Sequence, residues 1–198
     1  MTAVLNPSPT LQAVRFTREQ YHHLGRLGFF DGKRVERLRG EIIEMSPIGW
    51  PHVVGCRKTA EILERAFAGI GWVSRNEQPL ALAESDPQPD VMVVPGRFED
   101  YTDHPSTALL LVEVADTTLF RDTTTKAEVY AEAGIAEYWV LDLTGRQLFV
   151  FRDPAPVAAN GNSYHTQVTL GPTESVAPLA APNRLIFVSD LLPSSVDP

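Results

Sequence analysis

Two carboxylate residues stand in or directly before apolar segments of strand length. Glu113 lies inside the run LLLVEVA, and Asp90 directly precedes the run Val91–Val94. An ionised carboxylate buried in such a strand is strongly destabilising unless a cation, a metal ion or hydrogen-bond donors lie beside it. The sequence therefore predicts that Glu113 has a partner of this kind within the folded chain.

Lys126 is the candidate for that partner. It lies near the start of a segment with helical spacing, for which Asp122 is the predicted N-cap, and the segment leads into a second apolar run, Tyr138–Leu143. A strand, a helix and a strand in this order predict a parallel pair in a sheet that is buried on both faces. We expect Asp90, Glu113 and Lys126 to meet at one end of that sheet.

Two carboxylates and an ammonium group have a direct chemical use. Oxygen ligands at a partly buried site suit a hard cation, Mg²⁺ or Mn²⁺, and suit Zn²⁺ poorly. Such an ion lowers the pKa of a bound water and neutralises charge on a phosphoryl oxygen, and a lysine can orient or deprotonate that water. The set predicts hydrolysis of a phosphodiester. The alternative is a structural ion pair of Glu113 with Lys126 or an arginine, without a metal.

The composition is that of an ordinary globular domain. The 198 residues are 43% hydrophobic and 21% charged, and Cys56 is the single cysteine, so an internal disulfide is excluded. No apolar run approaches the roughly 20 residues that cross a bilayer. The N-terminus has no basic flank before an apolar core, and no secretory signal is predicted. These features together favour a reducing cytoplasm.

The net charge of −8 disfavours a broadly basic nucleic-acid binder, but the charge is unevenly distributed. Residues 1–75 carry a balance of +4, and residues 76–198 carry −12. A surface that meets a phosphate backbone is therefore expected from the N-terminal part of the chain. Ordinary solvated helix faces would give the same imbalance.

Local patterns predict an α/β or α+β domain with a mixed central β-sheet, flanking helices and additional antiparallel strands. Thr17 and Gln20 have the spacing of a capping box at the start of helix 17–30. The turn Arg39-Gly40 predicts a hairpin over residues 34–45, and the clearest helix is His52–Ala68, with Cys56 on its apolar face. Further strands are predicted at 72–83, with a break at Pro79, and at 91–94, 147–152 and 164–170. The chain is predicted to form one domain over 15–192, preceded by a loose leader over 1–14 and followed by a tail over 193–198.

The charged residues lie within longer segments whose order along the chain is informative. These are GEIIEMSPIGWPH, Pro89-Asp90, LLLVEVAD, the positions Asp122, Lys126 and Tyr130, and EYWVLD. In this order and spacing they resemble the putative restriction endonuclease family of the PD-(D/E)XK nuclease superfamily. Matching segments run from about residue 21 to residue 151, most of the chain. The resemblance implies a restriction-endonuclease-like core that carries a metal site.

The resemblance also implies roles for individual residues. Asp90 and Glu113 would be the metal ligands, with the backbone carbonyl of Val114 as a third, and Lys126 would be the catalytic lysine. From the upstream segment, two more residues would line the same cleft, Glu41 and His52.

One position departs from the superfamily pattern. Two residues after the second acid, where that pattern has lysine, this chain has Ala115. The family that the chain resembles moves the lysine to the following helix, which Lys126 fits. Asp116 fits the role of an additional metal ligand and equally that of a simple turn residue.

Two functional hypotheses follow. The first is a cytoplasmic, Mg²⁺- or Mn²⁺-dependent endonuclease whose partner is nucleic acid. DNA is the expected substrate, although the residues do not separate DNA from RNA. A homodimer is consistent with it because cutting both strands requires two sites, and no membrane partner is expected. The second is a catalytically inactive protein of the same fold, in which the carboxylates and Lys126 form a closed ion-pair cluster and the acidic C-terminal part binds a protein.

Other catalytic patterns are absent from the sequence. It has no G-x-S-x-G elbow, no P-loop and no dinucleotide fingerprint, and the five histidines show no zinc-ligand spacing. Cys56 is predicted to be a core residue.

Overall fold

The computed structural model describes residues 13–75, 78–157 and 161–194, which form five α-helices and ten strands. None of the helices in these ranges is both long enough and apolar enough to cross a membrane. The elements in chain order are α1 (Arg18–Arg26), β1 (Val35–Leu38), β2 (Glu41–Glu44), α2 (Trp50–Ala66), β3 (Gly71–Ser74), β4 (Val91–Pro95), β5 (Leu110–Ala115), α3 (Leu119–Arg121), α4 (Ala127–Glu132), β6 (Glu137–Asp142), β7 (Gln147–Val157), β8 (Gly161–Leu170), β9 (Ser175–Val176), β10 (Ile186–Phe187) and α5 (Val188–Leu191).

A six-stranded mixed sheet is the centre of the fold. Its strand order is β3-β4-β5-β6-β7-β8, and β5 and β6 are parallel while the other neighbours are antiparallel. The predicted fold class is confirmed, including the parallel pair around Glu113 and the antiparallel extension after it. The connection between β5 and β6 contains α3, a π-helical turn (Asp122–Lys126) and α4.

Both faces of the sheet are covered. On one face, Val112 and Val114 of β5 pack with Leu63 and Phe67 from α2 and its C-cap, and with Leu191 of α5. On the other face a second cluster joins β5 to α4, and it includes Leu111, Ala115, Val129, Tyr130 and Tyr138. Side chains alternate along β5 as its pattern requires, so Glu113 falls on the face covered by α4.

The hairpin β1–β2 is a separate two-stranded sheet that is tied to the domain by a buried arginine. Arg39 and Gly40 at its turn have φ values of 49° and 79°, as in the tight turns that join antiparallel strands, so the hairpin prediction is confirmed. Arg37 is 1% exposed, and its Nε donates to Oδ2 of Asp86 at 2.7 Å. The backbone N–H of Asp86 donates to the carbonyl of Arg37. These bonds fix the hairpin to the loop that precedes Asp90.

Element ends differ from the predictions at several points. Thr17 and Gln20 form the predicted capping box, but α1 ends at Arg26 rather than residue 30. The helix α2 begins at Trp50, two residues early, because Pro51 is accommodated in its first turn. The strand predicted over 72–83 is wrong beyond Ser74, although residues 76 and 77 lie outside the described ranges. The leader predicted over 1–14 and the tail predicted over 193–198 also lie outside them, apart from residues 13, 14, 193 and 194.

Candidate metal centre and active site

The structure brings Asp90, Glu113 and Lys126 to one pocket, at the end of the sheet where β4 begins and β5 ends. Val91 pairs with Val112, so Asp90, one residue earlier, lies beside Glu113, one residue later. The pocket has a volume of about 80 Å³, room for a few water molecules. Its lining also includes Arg34, Met45, Ser46, Pro47, Ile48, Gly49, His52, Val114, Asp116, Thr117, Thr118, Arg121 and Asp122.

Lys126 is the last residue of the π-helical turn, and its side chain is buried between two carboxylates. Its Nζ lies 2.9 Å from Oε1 of Glu113 and 3.3 Å from Oε2 of Glu36. Burial by itself lowers the pKa of Lys126, but the combined attraction of the surrounding carboxylates outweighs it and the pKa is raised. In the metal-free protein these carboxylates therefore favour the ammonium form of Lys126, which donates hydrogen bonds.

Glu113 is 3% exposed and accepts two hydrogen bonds at one oxygen. The donors to Oε1 are Nζ of Lys126 and the hydroxyl of Tyr130, which lies 2.7 Å away. Burial raises the pKa of Glu113 well above its ordinary value, Lys126 opposes this shift, and the neighbouring acids reinforce it. The donors on Oε1 orient the carboxylate at the pocket that Glu113 lines.

The side chain of Asp90 contacts both β5 and α2. Its Oδ2 accepts the backbone N–H of Val114 at 2.7 Å and lies 3.2 Å from Nε2 of His52. The helix α2 can lie close to β5 because residue 55 is glycine. A Cβ at this position would lie 3.0 Å from a methyl group of Val114. The predicted site residue His52 and the predicted third ligand Val114 thus both line the pocket beside Asp90.

The structure does not bring Glu41 into the site. Its side chain is half exposed and lies 3.8 Å from Arg15. The hairpin instead contributes Glu36, which is fully buried against Lys126 and also accepts the backbone N–H of Gln88 at 3.2 Å. Sequence reasoning missed Glu36, which stands between Val35 and Arg37 and, unlike Glu113, does not interrupt an apolar run.

Asp122 also belongs to the pocket, but not as the predicted N-cap. The helical connection begins earlier, with Thr118 as the N-cap of α3, and the Thr118 hydroxyl donates to the Asp122 carboxylate. The backbone carbonyl of Asp122 accepts the hydroxyl of Tyr138. Burial raises the pKa of Asp122, against the opposing effects of Lys126 and Thr118.

Carboxylates outnumber cations in this part of the described structure. The acids are Asp90, Glu113, Asp116 and Asp122 of the lining and Glu36 behind it, and the cations are Arg34, Arg121 and Lys126. Five carboxylates against three cations leave a formal charge of −2, with His52 neutral. Four of these acids are buried, and Lys126 is the one buried cation of the three, so the site favours an added cation. The carboxylates of Asp90 and Glu113 and the Val114 carbonyl are oxygen donors, so the residues fit a hard divalent ion such as Mg²⁺ or Mn²⁺.

In metal-free buffer, we expect the Glu113 carboxyl to give the folded protein a stability that declines with increasing pH. Between the ordinary glutamate pKa of 4.5 and the raised pKa of Glu113, the folded state holds a proton that the unfolded state releases. The unfolded state binds fewer protons, so the free energy of unfolding falls as pH rises through this window. Urea unfolding at a series of pH values in chelator should show the decline.

The Glu113→Gln variant should lose this part of the pH dependence, because an amide does not titrate. The matched control is Glu99→Gln, since Glu99 is an exposed glutamate, and this variant should retain the wild-type slope. Identical slopes for wild type and Glu113→Gln would contradict the assignment of a raised pKa to Glu113.

Comparison with known proteins agrees with this architecture. The crystal structure of a putative nuclease belonging to DUF820 from Anabaena variabilis ATCC 29413 has a similar fold, with a TM-score of 0.66 and 14% sequence identity. The alignment covers 89% of this chain and 97% of that chain. No curated protein gives a match.

The fold and the acidic pocket define a mixed α/β domain with a restriction-endonuclease-like core. Residues 18–186 match the Uma2 family, whose description is Putative restriction endonuclease. The chain belongs to that family, which confirms the resemblance found in its sequence.

Proposed function

We propose that this protein is a metal-dependent endonuclease that hydrolyses phosphodiester bonds in DNA. The observation that carries the proposal is the convergence of Asp90, Glu113 and Lys126 on one pocket in which acidic side chains outnumber basic ones. Membership of the Uma2 family supports the reaction class. The choice of DNA, of Mg²⁺ or Mn²⁺ and of these catalytic residues is part of the proposal.

The carboxylates of Asp90 and Glu113 and the carbonyl of Val114 would hold the ion. When bound, a divalent metal supplies an activated water and neutralises negative charge on the phosphoryl group. The protein's own contribution is to hold these oxygen ligands in place. The Val114 N–H and His52 fix Asp90, and Tyr130 and Lys126 fix Glu113.

Lys126 acts as a donor in this proposal. An ammonium group has three N–H donors, and Glu113 and Glu36 account for two of them. The third is available to the attacking water or to a phosphoryl oxygen whose negative charge grows in the transition state. Glu36 contacts Lys126 outside the pocket lining and does not touch the substrate, so it is a positioning residue.

Arginines of the pocket would bind the substrate backbone. Arg34 precedes β1 and Arg121 ends α3, and both contribute to the lining. Guanidinium groups bind phosphate through paired hydrogen bonds. A homodimer would place two such pockets on the two strands of a duplex.

The test is cleavage of supercoiled DNA, linear DNA and single-stranded RNA by the purified protein with Mg²⁺, Mn²⁺ or chelator. We expect DNA cleavage that requires the divalent ion and stops when the ion is removed. Cleavage that continues in chelator, or intact substrates with every ion, would contradict the proposal. The Glu41→Gln variant should cleave at the wild-type rate because Glu41 lies outside the pocket, while Glu36→Gln should be slower.

A second candidate function is that of a catalytically inactive nucleic-acid or protein binding module. The direct contact between Lys126 and Glu113 favours it, since this pair satisfies part of the buried charge without a metal. Melting experiments with added metal separate the two. An ion at 100 times its dissociation constant should stabilise a genuine site by about 2.7 kcal/mol, whereas the binding module predicts no shift.

A further inference from the structure

A second group of potential metal ligands lies on the α2 side of Asp90. His52 and Cys56 are one helical turn apart on α2, and with Asp90 they offer an imidazole nitrogen, a thiol sulfur and a carboxylate oxygen. These three ligand atoms all lie within 4.8 Å of one another. This donor set differs chemically from the oxygen-only set on the other side of Asp90, because thiolate and imidazole favour softer metals.

Two of the separations between these ligand atoms are close to those of a tetrahedral zinc site. Nε2 of His52 lies 3.8 Å from Sγ of Cys56 and 3.2 Å from Oδ2 of Asp90. With ordinary zinc bond lengths, neighbouring ligand atoms of a tetrahedral site lie about 3.4–3.6 Å apart. Sγ of Cys56 also lies 3.4 Å from Nδ1 of His52, so the side chains of Cys56 and His52 must turn to direct the sulfur and one ring nitrogen at a shared ion.

The cluster is accessible from solvent. A cavity of about 250 Å³ opens beside it and is lined by Ile48, His52, Val53, Cys56, Arg57, Arg75 and Asp90. Cys56 is only partly buried. The two arginines at the cavity have acidic partners, Glu61 for Arg57 and Glu64 for Arg75, so their charges are offset. An ion can therefore enter, and a water can occupy the fourth position.

We propose that His52, Cys56 and Asp90 form a Zn²⁺ site and that zinc bound there inhibits the enzyme. On binding, the Cys56 thiol loses its proton to solvent, and the thiolate and the Asp90 carboxylate together neutralise the ion. Because Asp90 serves both ligand sets, zinc withdraws it from the oxygen-ligand site. The proposal of zinc binding depends only on the geometry of these three residues. The proposal of inhibition rests, in addition, on the proposed nuclease function.

The direct test uses Co²⁺ alone as a spectroscopic substitute for zinc on the full-length protein. A thiolate ligand gives an intense sulfur-to-cobalt charge-transfer absorption, which oxygen ligands do not. We expect one equivalent of Co²⁺ to produce this absorption, and Zn²⁺ to abolish it by displacement. Cys56→Ser, which conserves the side-chain volume, should lose the absorption, whereas Glu113→Gln should retain it because Glu113 is not a ligand of this site.

Absence of the charge-transfer absorption in the folded wild type, or its persistence in Cys56→Ser, would overturn the zinc site. Circular dichroism of each variant verifies that it is folded. Inhibition is measured separately: Zn²⁺ should suppress Mg²⁺-dependent cleavage by the wild type at least tenfold more strongly than cleavage by Cys56→Ser. If the protein cleaves nothing with Mg²⁺ yet binds Co²⁺ through Cys56, the nuclease proposal fails and the zinc site stands. Equal inhibition of both proteins would overturn the inhibitory role.

Discussion

Replacing Lys126 by methionine should lower the rate of Mg²⁺-dependent cleavage by about 10²–10³-fold, the usual effect of removing one donor to transition-state charge. Methionine conserves the length of the side chain but cannot donate to water or a phosphoryl oxygen. The measurement is the single-turnover rate at saturating Mg²⁺. A wild-type cleavage rate for Lys126→Met would show that the lysine takes no part in catalysis.

The same variant should also be less stable, by about 3–5 kcal/mol, because Glu113 and Glu36 lose their shared cation in a buried site. Stability and catalysis must therefore be separated. The double variant Lys126→Met/Glu36→Gln removes one of the unpaired charges and should recover part of the stability, yet cleavage should stay low. Recovery of cleavage together with stability would assign Lys126 a structural role only.

Asp90→Asn should reduce Mg²⁺-dependent cleavage by roughly 10²–10⁴-fold, as expected when several kcal/mol of metal-derived stabilisation are lost. The amide oxygen of asparagine can still accept the Val114 N–H, so the fold should be retained. Titration of the cleavage rate with Mg²⁺ should show weaker dependence on the ion as well as a lower maximum rate.

The control for Asp90→Asn is Asp103→Asn, the same change at an exposed loop residue. It should have wild-type activity. A normal Mg²⁺ titration for Asp90→Asn would contradict the role of Asp90 as a magnesium ligand. It would also remove the reason for inhibition by zinc, which requires that both sites use this carboxylate.

The convergence of Asp90, Glu113 and Lys126 could be predicted from the apolar segments in or beside which these charged residues lie. Glu113 interrupts an apolar strand, and the strand–helix–strand order fixes where the next helix returns. Parallel pairing of β5 with β6 then follows from connection length and hydrophobicity. These are local or short-range properties, so the sequence displays them directly.

The sequence could not show which of the two hairpin glutamates, Glu36 or Glu41, contacts the site. Both are hairpin glutamates, and local pattern does not show which strand of a two-stranded sheet faces the domain. That orientation is set by Arg37, whose buried side chain contacts Asp86 across a sequence separation of 49 residues. The zinc-type cluster was missed for a similar reason. His52 and Cys56 have helical i, i+4 spacing, but their third partner comes from a different element.

The π-helical turn Asp122–Lys126 makes the length of this connection a constraint on catalysis. Such a turn holds one residue more than an α-helical turn. Deleting one of the three consecutive threonines, 123–125, would restore a regular helix. It would also shorten the connection and move Asp122 from four residues before Lys126 to three. The length of this connection determines how the Asp122 carboxylate and the Lys126 ammonium group are placed in the pocket, so insertions and deletions should be tolerated far less here than in surface loops.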